Sequence, residues 1–166
     1  CGDKELTHYE EAVERYQDIF RECCMYRVEA YEGIGELLEF LKSQGIFIAV
    51  LSNKPHPRTL DNVQGVFGKG YFDLVYGERE DKGIKKKPCP DGVWAIAEEL
   101  GLSKSEILYL GDTNTDMETG DNAKVDTVGV TWGFRTREEL MAFHPALIAD
   151  HPSQVVQYIK DVNGIE

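Results

Sequence analysis

Three short stretches hold residues whose types could act together on an anion. "LSNKP", residues 51 to 55, offers the Ser52 hydroxyl and the Asn53 amide. "KKPCP", residues 86 to 90, offers the Lys87 ammonium beside prolines that stiffen its loop. "GDTNTD", residues 111 to 116, places two carboxylates, Asp112 and Asp116, four residues apart. Hydroxyl, amide and helix-start N–H groups hold phosphate oxygens. A lysine adds a compact positive charge on the same anion. Mg²⁺ favours one or two carboxylates with substrate phosphate and water, so Asp112 and Asp116 are the candidate metal ligands. Metal and lysine together would share the charge of a phosphoryl group in transfer.

Each stretch also has a plain structural reading. Ser, Asn and Pro are turn residues, so "LSNKP" alone reads as a turn. In "GDTNTD", Asp112 or Thr113 suits a helix N-cap, with Asp116 in the first turn where the dipole favours it. Lys87 closes the run Lys85-Lys86-Lys87 and alone reads as solvated surface. What joins them is their order, each at the end of an expected strand or in the loop that follows one.

The elements that must position them follow from periodicity. Residues Thr7 to about Met25 are amphipathic, with Tyr9, Val13, Tyr16, Ile19, Phe20 and Cys23 at helical spacing. A helix is expected from Ile34 to Ser43 and ends near Gly45. "IFIAVLS", 46 to 52, reads as a buried parallel strand. A helix over 57–67 starts at Pro57. "YFDLVYG" is a short strand, and a helix spans Asp91 to Leu100. Then come strand "EILYLGD", helix "TDMETGDNA", strand "VDTVGVTWG", helix "TREELMAF", strand "ALIAD" and helix "SQVVQYIKDV". Alternation over the last 120 or so residues predicts an α/β, doubly wound, mainly parallel Rossmann-like sheet. In such sheets ligands bind at the carboxyl ends of the strands, which is where the three stretches lie.

Composition narrows the partners. The chain has 166 residues, 42% hydrophobic and 29% charged, with 18 Lys plus Arg against 30 Asp plus Glu and a net charge of −12. That balance argues against a nucleic-acid binder, whose phosphate contacts need a positive face. No apolar run approaches a membrane span. Cys1, Cys23, Cys24 and Cys89 form neither a C-x-x-C pair nor a zinc spacing, and are expected as free thiols of a reducing cytoplasm. No residue pattern specifies an oligomeric state.

At these residues the sequence resembles the haloacid dehalogenase (HAD) superfamily of phosphohydrolases, most closely its phosphoglycolate phosphatase-like branch. "AYEGIGELLEFLKSQGIFIAVLSNKP" is similar to the approach to that family's second motif, whose hydroxyl residue is Ser52. "KKKPCPDGVWAIAEELGL" is similar to the third, whose lysine is Lys87. "ILYLGDTNTDMETGDNAKVDTVGVTWGF" resembles the fourth, with Asp112 at the main metal position and Asp116 at the second acidic one. The resemblance implies a Mg²⁺-dependent phosphatase of a small phosphorylated metabolite such as phosphoglycolate, with Ser52 and Lys87 as catalytic residues and Ser52, Asn53 and Lys87 as phosphate ligands. It implies an aspartyl-phosphate intermediate. Trp132, Phe134 and Arg135 are candidates for the site mouth.

The sequence departs from the family at one point. The first motif, D-x-D-x-[TV], is absent, and no D-x-D occurs anywhere in the 166 residues. The nucleophile and the general acid/base are therefore expected outside them. Residues 1–28 are expected as the remnant of a helical cap, and 29–166 as the HAD-like core lacking its first strand. That strand belongs between 46–52 and 106–111, so these two are expected not to pair with each other. The alternatives are a non-catalytic phosphate- or metal-binding relative, a receiver-type signalling domain and a dehalogenase. Lys87 preceding Asp112 counts against the receiver, and the acidic pair counts against the dehalogenase.

Overall fold

The computed structural model describes residues 4–23 and 25–165. In chain order the elements are α1 (Lys4–Cys23), α2 (Ile34–Ser43), β1 (Ala49–Pro55), α3 (His56–Phe67), β2 (Leu74–Glu78), α4 (Asp91–Leu100), β3 (Leu108–Gly111), α5 (Asn114–Ala123), β4 (Asp126–Val130), α6 (Arg137–Met141), β5 (Leu147–Ala149) and α7 (Pro152–Asn163). The fold is α/β with parallel strands throughout the described sheets. The first strand begins three residues later than expected. Before it, Ile48 and Asp73 are tied to each other: Ile48 N–H donates to Asp73 Oδ2 at 2.7 Å, and Asp73 N–H donates to Ile48 O at 2.9 Å.

The strands form two sheets, β1–β2 and β3–β4–β5. β1 and β3 do not pair, so each has one edge without a strand partner among the described residues. Unpaired strand edges are costly when covered, because backbone N–H and C=O groups need partners. Both edges belong to strands whose carboxyl ends carry the candidate site residues.

Side-chain alternation sorts the faces of the three-stranded sheet. Leu108, Leu110, Val128 and Val130 join a core with Leu37 of α2 and Val155 and Ile159 of α7. Full burial of a Val or Leu stabilises by about 1.5–3 kcal/mol, and Val128 and Val155 are both completely buried. Tyr109, Gly111 and Thr127 face the other way, toward α5, whose Met117, Thr119 and Ala123 are buried. α3 packs on β1 and β2, and α4 meets β1 where Gly92 lies against Leu51.

On α1 the expected apolar stripe is open: Tyr9, Tyr16 and Ile19 are all more than half exposed. Phe20 lies outside the residues whose side chains are described. Among the described residues no helix is long and apolar enough to cross a membrane. Cys23 and Cys89 are free thiols, and Cys1 and Cys24 lie outside the described residues.

Candidate functional site

β3 ends at Gly111, and the next five residues build the start of α5. Thr113 is its N-cap. The Thr113 Oγ1 accepts from Asp116 N–H at 3.3 Å, and the Asp116 carboxylate reaches back to Thr113 N–H at 3.1 Å. This is a capping box, in which two orphan helix donors are satisfied reciprocally. The plain structural reading of "GDTNTD" therefore holds for Thr113 and Asp116.

Asp116 does more than cap. Its Oδ2 accepts from Thr113 N and Thr113 Oγ1, the latter at 2.6 Å. Its Oδ1 accepts from Lys87 Nζ at 2.6 Å and from Tyr109 Oη at 3.2 Å. An ionised carboxylate offers about four lone-pair sites, and protein donors occupy all of them. Asp116 is thus the partner of Lys87 in this arrangement, and a metal at Asp116 would have to displace one of these donors. The pair is well buried, with side-chain exposures of 15% for Lys87 and 7% for Asp116. Burial alone would favour the neutral acid. The Lys87 ammonium, with the hydrogen bonds from Lys87, Thr113 and Tyr109, outweighs it and holds the Asp116 pKa below the ordinary value.

Lys87 comes from the 79–90 loop, whose Lys87–Pro88 peptide is cis. Its ammonium also lies 3.4 Å from Leu51 O. An ammonium has three donors, so one is left for a ligand. Asn53 holds the backbone of the same residue. Its Oδ1 accepts from Lys87 N–H at 2.8 Å, and its Nδ2 donates to Lys87 O at 3.0 Å. The amide is a clamp between the end of β1 and the lysine loop, and its second N–H is left to donate to a phosphate oxygen. Ser52 Oγ accepts from Lys54 N–H at 3.1 Å, which leaves its hydroxyl proton to donate. Ser52, Asn53 and Lys87 line one small cleft with Glu78, Lys86 and Cys89. Lys86 pairs with Glu78 and Glu80, at 3.2 and 3.4 Å.

Asp112 is held separately. Phe134 N–H donates to its Oδ2 at 3.0 Å, and a Cβ on Gly133 would come within 2.1 Å of that oxygen, so the 131–134 loop closes tightly over it. Oδ1 accepts no hydrogen bond among the described residues. Two residues on, Asn114 Oδ1 is buried without a partner. A buried acceptor left open is what a cation, a water or an incoming N–H satisfies. The donor set fits Mg²⁺ through one carboxylate, Asp112. No cluster of three or more His, Cys, Asp or Glu able to hold a metal occurs among the described residues.

Of the suggested mouth residues, Phe134 is 85% exposed. Trp132 packs against the core, and Arg135 pairs with Glu139 at 3.5 Å. Sequence reasoning missed Tyr109 and Asn114. For Tyr109 the signal was a hydroxyl inside the otherwise apolar run "ILYLG", since a buried phenol needs a partner.

Comparison with known proteins shows the family. Residues 2–130 match the family of haloacid dehalogenase-like hydrolases. The chain is 29% identical over 150 residues to the phosphoglycolate phosphatase of Pectobacterium atrosepticum, covering 90% of this chain and 63% of that protein. It is 29% identical over 153 residues to the N-acetylmuramic acid 6-phosphate phosphatase of Pseudomonas aeruginosa, covering 88% of this chain and 64% of that one. A crystal structure from Lactobacillus delbrueckii subsp. bulgaricus superposes with a TM-score of 0.85 at 29% identity, over 92% of this chain and 63% of that one. The chain therefore spans just under two thirds of the length of these relatives. It belongs to the haloacid dehalogenase-like hydrolase family, in its phosphoglycolate phosphatase-like branch.

Proposed function

We propose that these residues form the phosphate-binding half of a Mg²⁺-dependent phosphomonoesterase site acting on a small phosphorylated metabolite. The observation that carries this is the buried Lys87–Asp116 pair beside Ser52, at the carboxyl ends of strands from two different sheets. Nothing in the core needs a buried lysine there, and a buried pair is weak evidence for stability alone.

The chain's own residues divide the work. Ser52 donates its hydroxyl to a phosphate oxygen. Lys87 directs its remaining N–H at the same anion, and Asp116 fixes that ammonium in place. Asn53 sets the height of the lysine loop above β1. Asp112 would hold Mg²⁺, which supplies charge neutralisation on the phosphoryl oxygens. Asp112 and Asn114 both stand at the end of β3.

The attacking carboxylate is assigned to a segment outside these 166 residues. A parallel strand between β1 and β3 would join the two sheets and satisfy both open edges. Its carboxyl end would deliver the nucleophile between Ser52 and Asp112, and the aspartyl-phosphate would form there. In this reading α1 is the remnant of a cap, which fits its open apolar face. The relatives' names span phosphoglycolate, a sugar phosphate and pyrophosphate, which supports a small phosphorylated substrate.

A second reading rests on one observation, the absence of D-x-D from the sequence: a relative that binds phosphate without turning it over. Hydrolysis of p-nitrophenyl phosphate and phosphoglycolate by the full-length protein, with Mg²⁺ and then with EDTA, decides between them. Mg²⁺-dependent release of inorganic phosphate supports the enzyme. Phosphate binding without release supports the second reading, and neither result sinks both.

A further inference from the structure

Asp116 is held by two kinds of donor, and they act on different oxygens. Thr113 binds Oδ2 from within the same helical turn and completes the cap. Tyr109 and Lys87 bind Oδ1 from two other elements, β3 and the 79–90 loop. The cap needs only the first oxygen. The second is where the carboxylate meets the ammonium, and there a strand supplies a second donor.

Tyr109 is well placed to be rigid. It lies in the middle of β3 with its ring beside Gly120 of α5, where an added Cβ would stand 3.5 Å from Cδ1. Leu108 and Leu110, on either side of it, are anchored in the core of the opposite face. Burial, and then the Asp116 carboxylate, push the Tyr109 pKa far above its ordinary value, so the hydroxyl stays a donor at any physiological pH. A phenylalanine would fill the same space and supply no hydrogen bond.

We propose that Tyr109 is a positioning residue, whose hydroxyl fixes Asp116 Oδ1 and through it the Lys87 ammonium. The proposal rests on the reading of Lys87 as a phosphate ligand for its purpose, and on the two bonds to Oδ1 for its mechanism. Without the hydroxyl, Lys87 and Asp116 keep their charges, but Oδ1 loses its donor from β3 and the ammonium can follow that oxygen as it shifts.

The test is Tyr109→Phe in the full chain, read by competitive labelling of lysine amines and mass spectrometry. Lys124, a solvated surface lysine, is the internal standard. The Lys87-to-Lys124 labelling ratio is expected to rise about fivefold, the order set by the loss of one hydrogen bond. In an Asp116→Asn background the same change should add little, because the link is already broken. An unchanged ratio in Tyr109→Phe overturns the proposal. So does a rise shared equally by all half-buried lysines, which would mean general loosening. Protection of Lys87 by inorganic phosphate in the parent is measured alongside. If phosphate gives no protection, the phosphate-site reading fails on its own evidence, and the labelling ratio still decides the role of Tyr109.

Discussion

Asn53 closes both backbone polar groups of Lys87 with a single side-chain amide, accepting at 2.8 Å and donating at 3.0 Å. Two residues 34 positions apart are thereby set in one register. The clamp is solvent-exposed, so its worth to stability is modest. Asn53→Ala should cost about 1 kcal/mol in unfolding free energy but should weaken inorganic phosphate binding by about tenfold, since Lys87 is no longer held over Ser52. Asn53→Asp keeps the acceptor and loses the donor, and should fall between the two. Isothermal titration with phosphate checks this. Equal affinity for parent and Asn53→Ala would show that the lysine loop is set by other contacts.

Gly111 is the point where β3 passes under the start of α5. A Cβ there would stand 2.1 Å from Asp116 Cβ and 2.6 Å from its Cγ. Neither the strand nor the capped helix can yield cheaply, so Gly111→Ala should destabilise by about 2 kcal/mol or more. Gly35, exposed in α2 with nothing within 4 Å, is the control. Gly35→Ala should be neutral or stabilise by up to about 0.5 kcal/mol. Chemical denaturation of both variants tests the contrast.

His56 opens α3 and accepts Gly77 N–H on Nδ1 at 3.1 Å, tying the end of β1 to the end of β2. Burial, then the charges of Arg79 and Lys82, lower its pKa in the folded protein against the opposing pull of Asp81. The unfolded chain therefore takes up this proton first. The stability that His56 contributes is complete above its unfolded pKa of about 6.5 and is lost as pH falls toward the folded value. His56→Asn keeps an acceptor and removes the titration. Between about pH 7.5 and about pH 5.5, the parent should lose more thermal stability than His56→Asn. Parallel slopes would exclude the histidine as the titrating group.

Much of this arrangement is legible in the sequence. Each expected helix and strand from Ile34 onward is present within a few residues, because periodicity and Gly and Pro punctuation agree there. The start of β1 was misread because "IFI" is as β-prone as "AVL", and only the Ile48–Asp73 pairing separates them. Of the site, the stretches were legible but the partners were not. Ser52 and Lys87 share a cleft as their residue types suggested. Asn53 and Asp116 have the right chemistry for ligands, and each also bonds Lys87, a contact across about 30 residues that spacing cannot reveal. Asp116 also satisfied the capping rule, and the structure uses it for capping and for the ion pair at once.

That double use gives the sharpest separation of roles at the two acidic positions. Asp112 has one oxygen held by Phe134 N–H and the other open, whereas all four sites of Asp116 are filled. Asp112→Asn should therefore weaken Mg²⁺ binding by about tenfold or more while leaving the fold intact, because a neutral amide is a poor ligand for a hard cation. Asp116→Asn should leave the Mg²⁺ midpoint near that of the parent, but strip Lys87 of its counter-charge and lower stability by about 3 kcal/mol, as expected when one partner of a buried pair is removed. Asp121, exposed and paired only with Lys124 at the surface, should tolerate Asn with no change in either property. A Mg²⁺ titration of the three variants, followed by thermal unfolding, reads both axes. Should Asp116→Asn shift the Mg²⁺ midpoint as far as Asp112→Asn, the second carboxylate is a ligand after all, and the Lys87 pairing must open when the metal enters.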